Sequence, residues 1–142
     1  MVKVLFVCHG NICRSPMAEF VMKDLAAKAG KGDCFQVASA AVSREEIGNP
    51  VYPPARRELQ KHGIACDGHA AHQITPAEYA RVDRVYYMDE SNLRYLRRLL
   101  PDTGRCFPLL SRDVADPWYT GDFDKTWQDI LEGCRRILEE LA

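Results

Sequence analysis

The sequence predicts a three-layer αβα domain built on a four-stranded parallel sheet. Three observations carry that expectation. Val2 to Val7 is apolar apart from Lys3, as suits a strand covered on both faces. Strand-like and helix-like segments alternate along the rest of the chain, the pattern of parallel strands joined by crossover helices. Near the C-terminus, Trp127, Ile130, Leu131, Cys134, Ile137, Leu138 and Leu141 form an i, i+3, i+4 stripe, so a long amphipathic helix begins near Asp124.

Between these ends the elements follow in order. A helix opens at Ser15-Pro16, with Ala18, Val21, Met22, Leu25 and Ala29 on one face, and Gly30 is placed to end it. Phe35 to Ala38 reads as a second strand. The loop GNPVYPP (48–54) leads into a helix from Ala55 to His62, stopped by Gly63. Thr75, Pro76 and Glu78 form a capping-box pattern that starts another helix. Val82 to Met88 is a third strand, Ser91 to Leu100 a helix ended by Pro101, and Cys106 to Leu110 a fourth strand. No repeat, low-complexity tract or linker interrupts 1–142, which reads as one domain. In parallel sheets ligands bind beyond the carboxyl ends of the strands, and Cys8 lies at that end of the first one.

The chain has 142 residues, enough to bury a substantial core, with Lys+Arg 19 against Asp+Glu 20. Near-neutral charge gives no support for nucleic acid or an anionic membrane as the main partner. No apolar run reaches the length of a membrane span or forms a signal-peptide core, so a soluble cytoplasmic protein, a monomer, is expected. The six cysteines are scattered and the core is large, which favours reduced thiols over a disulfide framework.

The stretch VCHGNICRSP (7–16) concentrates the chemistry. A metal site would need more ligands than Cys8 and Cys13, and no CxxC or paired Cys/His set completes one, so no metal and no cofactor are expected. A nucleotide P-loop would need a second glycine followed by Lys-Ser/Thr, and Arg14-Ser15 lacks both. Taken alone, Cys8 reads as a buried structural thiol before a turn. Its neighbours favour something else. A loop from His9 to Cys13, between a strand and a helix start, turns successive N–H groups inward as an anion nest. Gly10 and Asn11 tolerate the left-handed backbone that a nest requires. The helix N-terminus adds positive potential, and Arg14 adds a planar fork matched to two phosphate oxygens.

The same field favours Cys8 as a thiolate. A thiolate beneath a tetrahedral dianion is placed for in-line attack at phosphorus, while the arginine carries the equatorial oxygens. Phosphoryl transfer through a covalent cysteine intermediate follows.

CHGNICRSP resembles the Cys-x5-Arg-Ser loop of the low-molecular-weight protein tyrosine phosphatases. The likeness runs through SAAVSREEIGNP (39–50), KHGI (61–64), MDESNLRYL (88–96) and DPWYTGDFD (116–124), in the family's order and approximate spacing. The strand order expected with it is 2-1-3-4, flavodoxin-like. The resemblance implies metal-independent hydrolysis of phosphotyrosine in proteins and binding of inorganic phosphate and its analogues. It implies Cys8 as nucleophile, Arg14 as phosphate clamp and Asp116 as general acid, then base. On its own residues, Asp116 is equally a turn aspartate before proline. His9, Gly10, Asn11, Ile12, Cys13, Arg14 and Ser15 would form the phosphate loop. Asn11, Ser15, Ser39 and His69 would hold it in shape. Asp89 and Asn92 match family positions too, although Asp89 reads equally well as a helix N-cap. Ile12, Glu45, Trp118 and Tyr119 would line the pocket, and Cys13 would be a redox partner that protects Cys8 through a disulfide.

Two positions depart from the family's pattern. Glu45 stands where an aromatic is common, and His72 replaces an arginine. Glu45 is expected to disfavour acidic residues beside phosphotyrosine. Three other readings compete. Protein arginine phosphatases share the fold but carry threonine where this chain has Ile12. Arsenate reductases need two further cysteines beyond the third strand, and 83–100 contains none. A phospho-ligand-binding module would have lost the nucleophile or the acid, and Cys8, Arg14 and Asp116 are all present.

Overall fold

The computed structural model describes Met1–Ala142. Its centre is β1 (Val2–Cys8), flanked in parallel by β2 (Phe35–Ala41) and β3 (Arg84–Tyr87), with β4 (Cys106–Pro108) beyond β3. The order β2-β1-β3-β4, all parallel, is the expected 2-1-3-4. Helices α1 (Arg14–Lys28), α2 (Pro53–Lys61), α3 (Pro76–Ala80), α4 (Glu90–Leu99), α5 (Pro117–Thr120) and α6 (Phe123–Leu141) complete the fold.

Alternation of side chains along β1 makes the three layers. Val4, Phe6 and Cys8 join the core shared with α1, α2 and α6, whereas Leu5 and Val7 join the core under α3 and α4. Both sets are buried, which is why this strand reads as a continuous apolar run. Full burial of a side chain such as Phe6 stabilises by roughly 1.5–3 kcal/mol. Gly133 in α6 permits a close approach: a Cβ there would lie 2.4 Å from the Leu109 side chain. The α6 stripe faces inward through Trp127, Ile130, Cys134 and Ile137, and the Cys134 thiol meets the Ala18 carbonyl of α1 at 3.6 Å.

Several boundaries differ from expectation, each for a local reason. β2 runs on to Ala41 because Ser39, Ala40 and Ala41 are in register with Phe6, Val7 and Cys8; these small residues carry little strand propensity of their own. β3 is shorter than 82–88 at both ends. The Val82 N–H closes the end of α3 onto the Tyr79 carbonyl at 3.3 Å. The Met88 and Asp89 N–H groups donate to Asn92 Oδ1 at 3.0 and 3.3 Å. β4 ends at Pro108, which an edge strand tolerates because the last bond to β3 comes from the Leu109 N–H, donating to the Tyr87 carbonyl at 2.9 Å. Ala29 is the exposed C-cap of α1, not a core residue, with Gly30 left-handed after it at φ 70°. The short α5 and a 3-10 turn at Gly32–Cys34 are too brief for any periodic signal.

Thr75 caps α3 as expected, its Oγ1 accepting from the Glu78 N–H at 3.1 Å. The reciprocal half of the capping box does not form, because the Glu78 carboxylate accepts from His72 Nε2 at 2.9 Å instead. That contact anchors the segment docked at the end of edge strand β2, where the Ala41 N–H donates to the His72 carbonyl at 2.7 Å. The hydrogen bond to Glu78 raises the His72 pKa above its usual 6.5, against an opposing effect of burial, with the charges of Glu78 and Glu19 adding to it. A raised histidine pKa stabilises the fold fully below about 6.5, and the contribution is lost as pH rises through the higher folded value. The pair is half-exposed, so Glu78→Gln is expected to lower the melting temperature by a few degrees at most at pH 6. The difference should shrink as the pH rises past His72's folded value. A constant offset across a pH series would show that this pair does not set the dependence.

Candidate active site

The sheet order reverses between β2 and β3 on either side of β1, so the segments leaving β1 and β3 diverge and open a crevice. Residues 9–13 leave β1 there, and Met88-Asp89 leave β3. Cys8, 3% exposed, forms the floor.

From Cys8 to Cys13 every carbonyl but that of Gly10 is tied outward. Val42 and Ser43 donate to the Cys8 and His9 carbonyls at 3.0 Å each, and Tyr52 to Ile12 at 2.8 Å. His69 Nε2 donates to the Asn11 carbonyl at 2.7 Å, and Met17 to Cys13 at 3.1 Å. Peptide planes held by their oxygens turn their N–H groups the other way. The Asn11 N–H reaches Cys8 Sγ at 3.3 Å, and those of His9, Gly10, Ile12, Cys13, Arg14 and Ser15 have no acceptor in the protein. Asn11 makes the bend with a left-handed backbone at φ 61°, a conformation open to asparagine at low cost. Gly10 allows Glu46 to pack over the loop, since a Cβ would lie 3.2 Å from Glu46 Cγ.

The buried Asn11 amide ties the loop to β2. Its Nδ2 donates to Ser15 Oγ at 2.8 Å and Ser39 Oγ at 3.0 Å, and its Oδ1 accepts from the His72 N–H at 3.3 Å. Ser15 Oγ lies 3.0 Å from Cys8 Sγ and 3.3 Å from the Ala40 carbonyl, so its single proton has two alternative destinations. Ser39 donates onward to Glu19 at 2.6 Å, and Glu19 accepts from Lys23 at 2.6 Å. Glu19 and Lys23 were not singled out in the sequence.

Arg14 is 2% exposed. Its Nη1 donates to Asp89 Oδ2 at 2.7 Å and to the Val114 carbonyl at 2.8 Å, and Nη2 to Asp116 Oδ2 at 3.3 Å. Burial alone would discourage its charge, but Cys8, Asp89 and Asp116 outweigh that and raise its pKa. Both readings of Asp89 hold at once: one oxygen holds Arg14 while Oδ1 accepts from the Asn92 N–H at 2.9 Å as the α4 N-cap. Asn92 shapes the β3–α4 turn through Oδ1, and its buried amide nitrogen has no partner. The Val114 carbonyl was invisible in the sequence, because any residue supplies a carbonyl.

Asp116 caps α5, its Oδ1 accepting from the Trp118 N–H at 3.0 Å. The cleft, about 290 Å³, is lined by Cys8, Ile12, Arg14, Glu45, Asp116 and Trp118 among others. Trp118 is 52% exposed and packs on Tyr52 with ring centroids 4.9 Å apart; Tyr119 is 84% exposed at the edge. His9 pairs with Glu45 at the mouth. Cys13 is buried, and burial pushes its thiol well above the ordinary range, with the charges of Cys8 and Asp116 adding to the rise. All six cysteines are free. The structure gathers Cys8, Ile12, Cys13, Arg14, Glu45, Asp116, Trp118 and Tyr119 around one crevice, whereas Ser39 and His69 reach it only through Asn11, and Asn92 only through Asp89.

Fold and site together define an α/β protein with a Cys-x5-Arg loop at the switch point of a parallel sheet. The family described as low molecular weight phosphotyrosine protein phosphatase matches residues 3–142. Low molecular weight protein-tyrosine-phosphatase YfkJ of Bacillus subtilis is 38% identical over 99% of this chain and 96% of its own. The crystal structure of YfkJ superposes with a TM-score of 0.94, covering 98% of this chain and 93% of that one. The human low molecular weight phosphotyrosine protein phosphatase is 38% identical over 96% of this chain and 94% of its own. A Drosophila arginine phosphatase structure, 32% identical, has a TM-score of 0.87 over 97% of this chain and 96% of that one. The chain belongs to the low molecular weight phosphotyrosine protein phosphatase family and is a protein-tyrosine-phosphatase, a hydrolase of phosphoric monoesters. No helix is long and apolar enough to cross a membrane.

Proposed function

We propose that this enzyme hydrolyses phosphotyrosine in polypeptides through a phosphocysteine intermediate, without a metal, with 1–142 acting as one catalytic domain. The observation that carries the reading is the set of outward-tied carbonyls around Cys8, which leaves the loop's N–H groups and buried Arg14 to receive a dianion. Cys8 Sγ, as thiolate, attacks phosphorus and the bond to the phenolic oxygen breaks, with Asp116 delivering its proton to that oxygen. Water then attacks the phosphocysteine. Asp116, now a carboxylate, takes the water's proton as the P–S bond breaks, releasing inorganic phosphate and restoring the thiolate. Developing charge on the phosphoryl oxygens is met by the loop amides and Arg14. The Ser15 proton follows the sulfur: it turns to Sγ while the thiolate is present and to the Ala40 carbonyl once sulfur carries phosphorus.

Arginine dephosphorylation is the second reading, favoured by the likeness to the Drosophila enzyme. Ile12, 8% exposed in the cleft wall, supports tyrosine instead, because its branched apolar side chain narrows the cleft and offers no hydroxyl to a guanidinium. Hydrolysis of phosphotyrosine and phosphoarginine peptides, measured side by side with chelator present, tests the choice. The expected result is turnover of the first alone. Preference for phosphoarginine, or loss with chelator, would overturn the reading.

Cys13 protects Cys8. Peroxide converts the Cys8 thiolate to a sulfenic acid, and the Cys13 thiol displaces water from it to form a disulfide that a thiol reductant opens again. Burial keeps Cys13 protonated and so less open to direct oxidation. After a peroxide pulse, wild type should recover most of its activity with thiol, and Cys13→Ala several-fold less. Equal recovery would remove the shielding role.

A further inference from the structure

Charge changes sign along the rim of the cleft. The His9 imidazole reaches out from the loop between two neighbours: Glu45 on one side, through a hydrogen bond, and Tyr95 of α4 on the other. The His9 and Tyr95 rings meet edge to face with centroids 5.6 Å apart. Over the Tyr95 ring lies the Arg98 guanidinium, 4.7 Å from its centroid. The rim therefore runs from Glu45 through His9 and Tyr95 to Arg98, with Arg94 one helical turn before Arg98.

The α4 cations differ from those of α1 and α6. There Lys23, Lys28, Lys125 and Arg136 each have a carboxylate partner one turn away, and of the basic residues on those two helices only Arg135 is unpaired. Arg94, Arg97 and Arg98 are exposed, and none makes an ion pair. Glu90 is the single acid in the helix, and it is not paired with Arg94. Unneutralised guanidinium groups beside a cleft draw carboxylates. Stacking on Tyr95 holds one of them in place, so less side-chain freedom is lost on binding.

Granted the tyrosine-phosphatase reading, we infer that Arg98 and Arg94 select phosphotyrosine polypeptides with acidic residues on one side of the phosphotyrosine, about two to four residues away at ~3.3 Å per residue. Glu45 turns the same acids away on the other side. A substrate strand laid across the mouth thus meets opposite signs at its two ends, which orients it as well as selecting it. The net charge of −1 over the whole chain argues against a general polyanion surface.

The experiment compares kcat/KM for phosphotyrosine peptides carrying two glutamates on the N-terminal or C-terminal flank, or alanines throughout. Wild type, R94A/R98A and E45Q are assayed at low and high salt, with free phosphotyrosine as the reference substrate. Glutamates on one flank are expected to raise kcat/KM roughly 3- to 10-fold over the alanine peptide in wild type. That gain should vanish in R94A/R98A, shrink with salt, and leave free phosphotyrosine hydrolysis unchanged. E45Q should relieve the penalty on the opposite flank. Wild type indifferent to both flanks, or a preference surviving in R94A/R98A, overturns the inference while leaving the tyrosine reading intact. So does a double variant that loses binding to DNA or anionic vesicles but keeps its peptide preference. Wild type that fails on free phosphotyrosine overturns both.

Discussion

Cys8→Ser is expected to reduce kcat for aryl phosphate hydrolysis by on the order of 10⁴-fold or more. The reason lies in the surroundings of the sulfur. An N–H and a hydroxyl face it within 3.3 Å, while His9 is tied to Glu45 and Asp116 to Arg14, so no base is hydrogen-bonded to position 8 to take a proton from a serine hydroxyl. An alkoxide would be far harder to form than a thiolate, so the substitution should remove attack while leaving the cradle intact. Steady-state rates with an aryl phosphate, together with phosphate or vanadate binding to the folded variant, separate the two. Retained oxyanion binding with negligible turnover is the expected pair of results. Residual turnover within tenfold of wild type would exclude Cys8 as the nucleophile. A phosphoryl adduct on Cys8, trapped by acid quench of wild type, would be its positive counterpart.

Asp116→Ala is expected to cost about 10²- to 10⁴-fold in kcat, the usual range for one positioned general acid. The loss should be greater for phenols that leave poorly, because they depend most on a donated proton, and one limb of the pH–rate profile should disappear. Asp116 has a second, opposite effect in the free enzyme. Its Oδ2 accepts from Arg14 Nη2 at 3.3 Å, so the carboxylate competes with an incoming dianion for that donor. Removing it should leave inorganic phosphate as strong an inhibitor as before, or a stronger one, even as turnover falls. Equal losses across leaving groups, with weaker phosphate inhibition, would make Asp116 a structural cap for α5 and not the acid.

Much of the fold was legible in local pattern. The apolar run of β1, the stripe of α6 and the alternation between them follow from side-chain period and burial. A residue buried on both sides of a sheet, or on one side of a helix, leaves that mark on the chain. The loop at 8–16 was legible for a related reason: its nucleophile, its left-handed bend, its arginine and its helix start are contiguous. Boundaries were less legible where a partner decided them. β2 gained three residues from its register with β1, and β3 lost Met88 because Asn92 took its N–H. The capping box at Thr75 failed for the same kind of reason, since Glu78 found a stronger partner in His72.

What the sequence determined by itself is therefore the class of fold and the contiguous loop, since both depend on neighbours within a few positions. Only the tertiary structure decided the company that loop keeps. Asp89, the Val114 carbonyl and Asp116 meet Arg14 from 75, 100 and 102 residues away, and Glu19 reaches Asn11 only through Ser39. Tyr95, with Arg98 stacked on it, came beside His9 only through the pairing of β3 with β1. Such contacts depend on distances in space that the order of parallel strands sets, and no spacing along the chain records them.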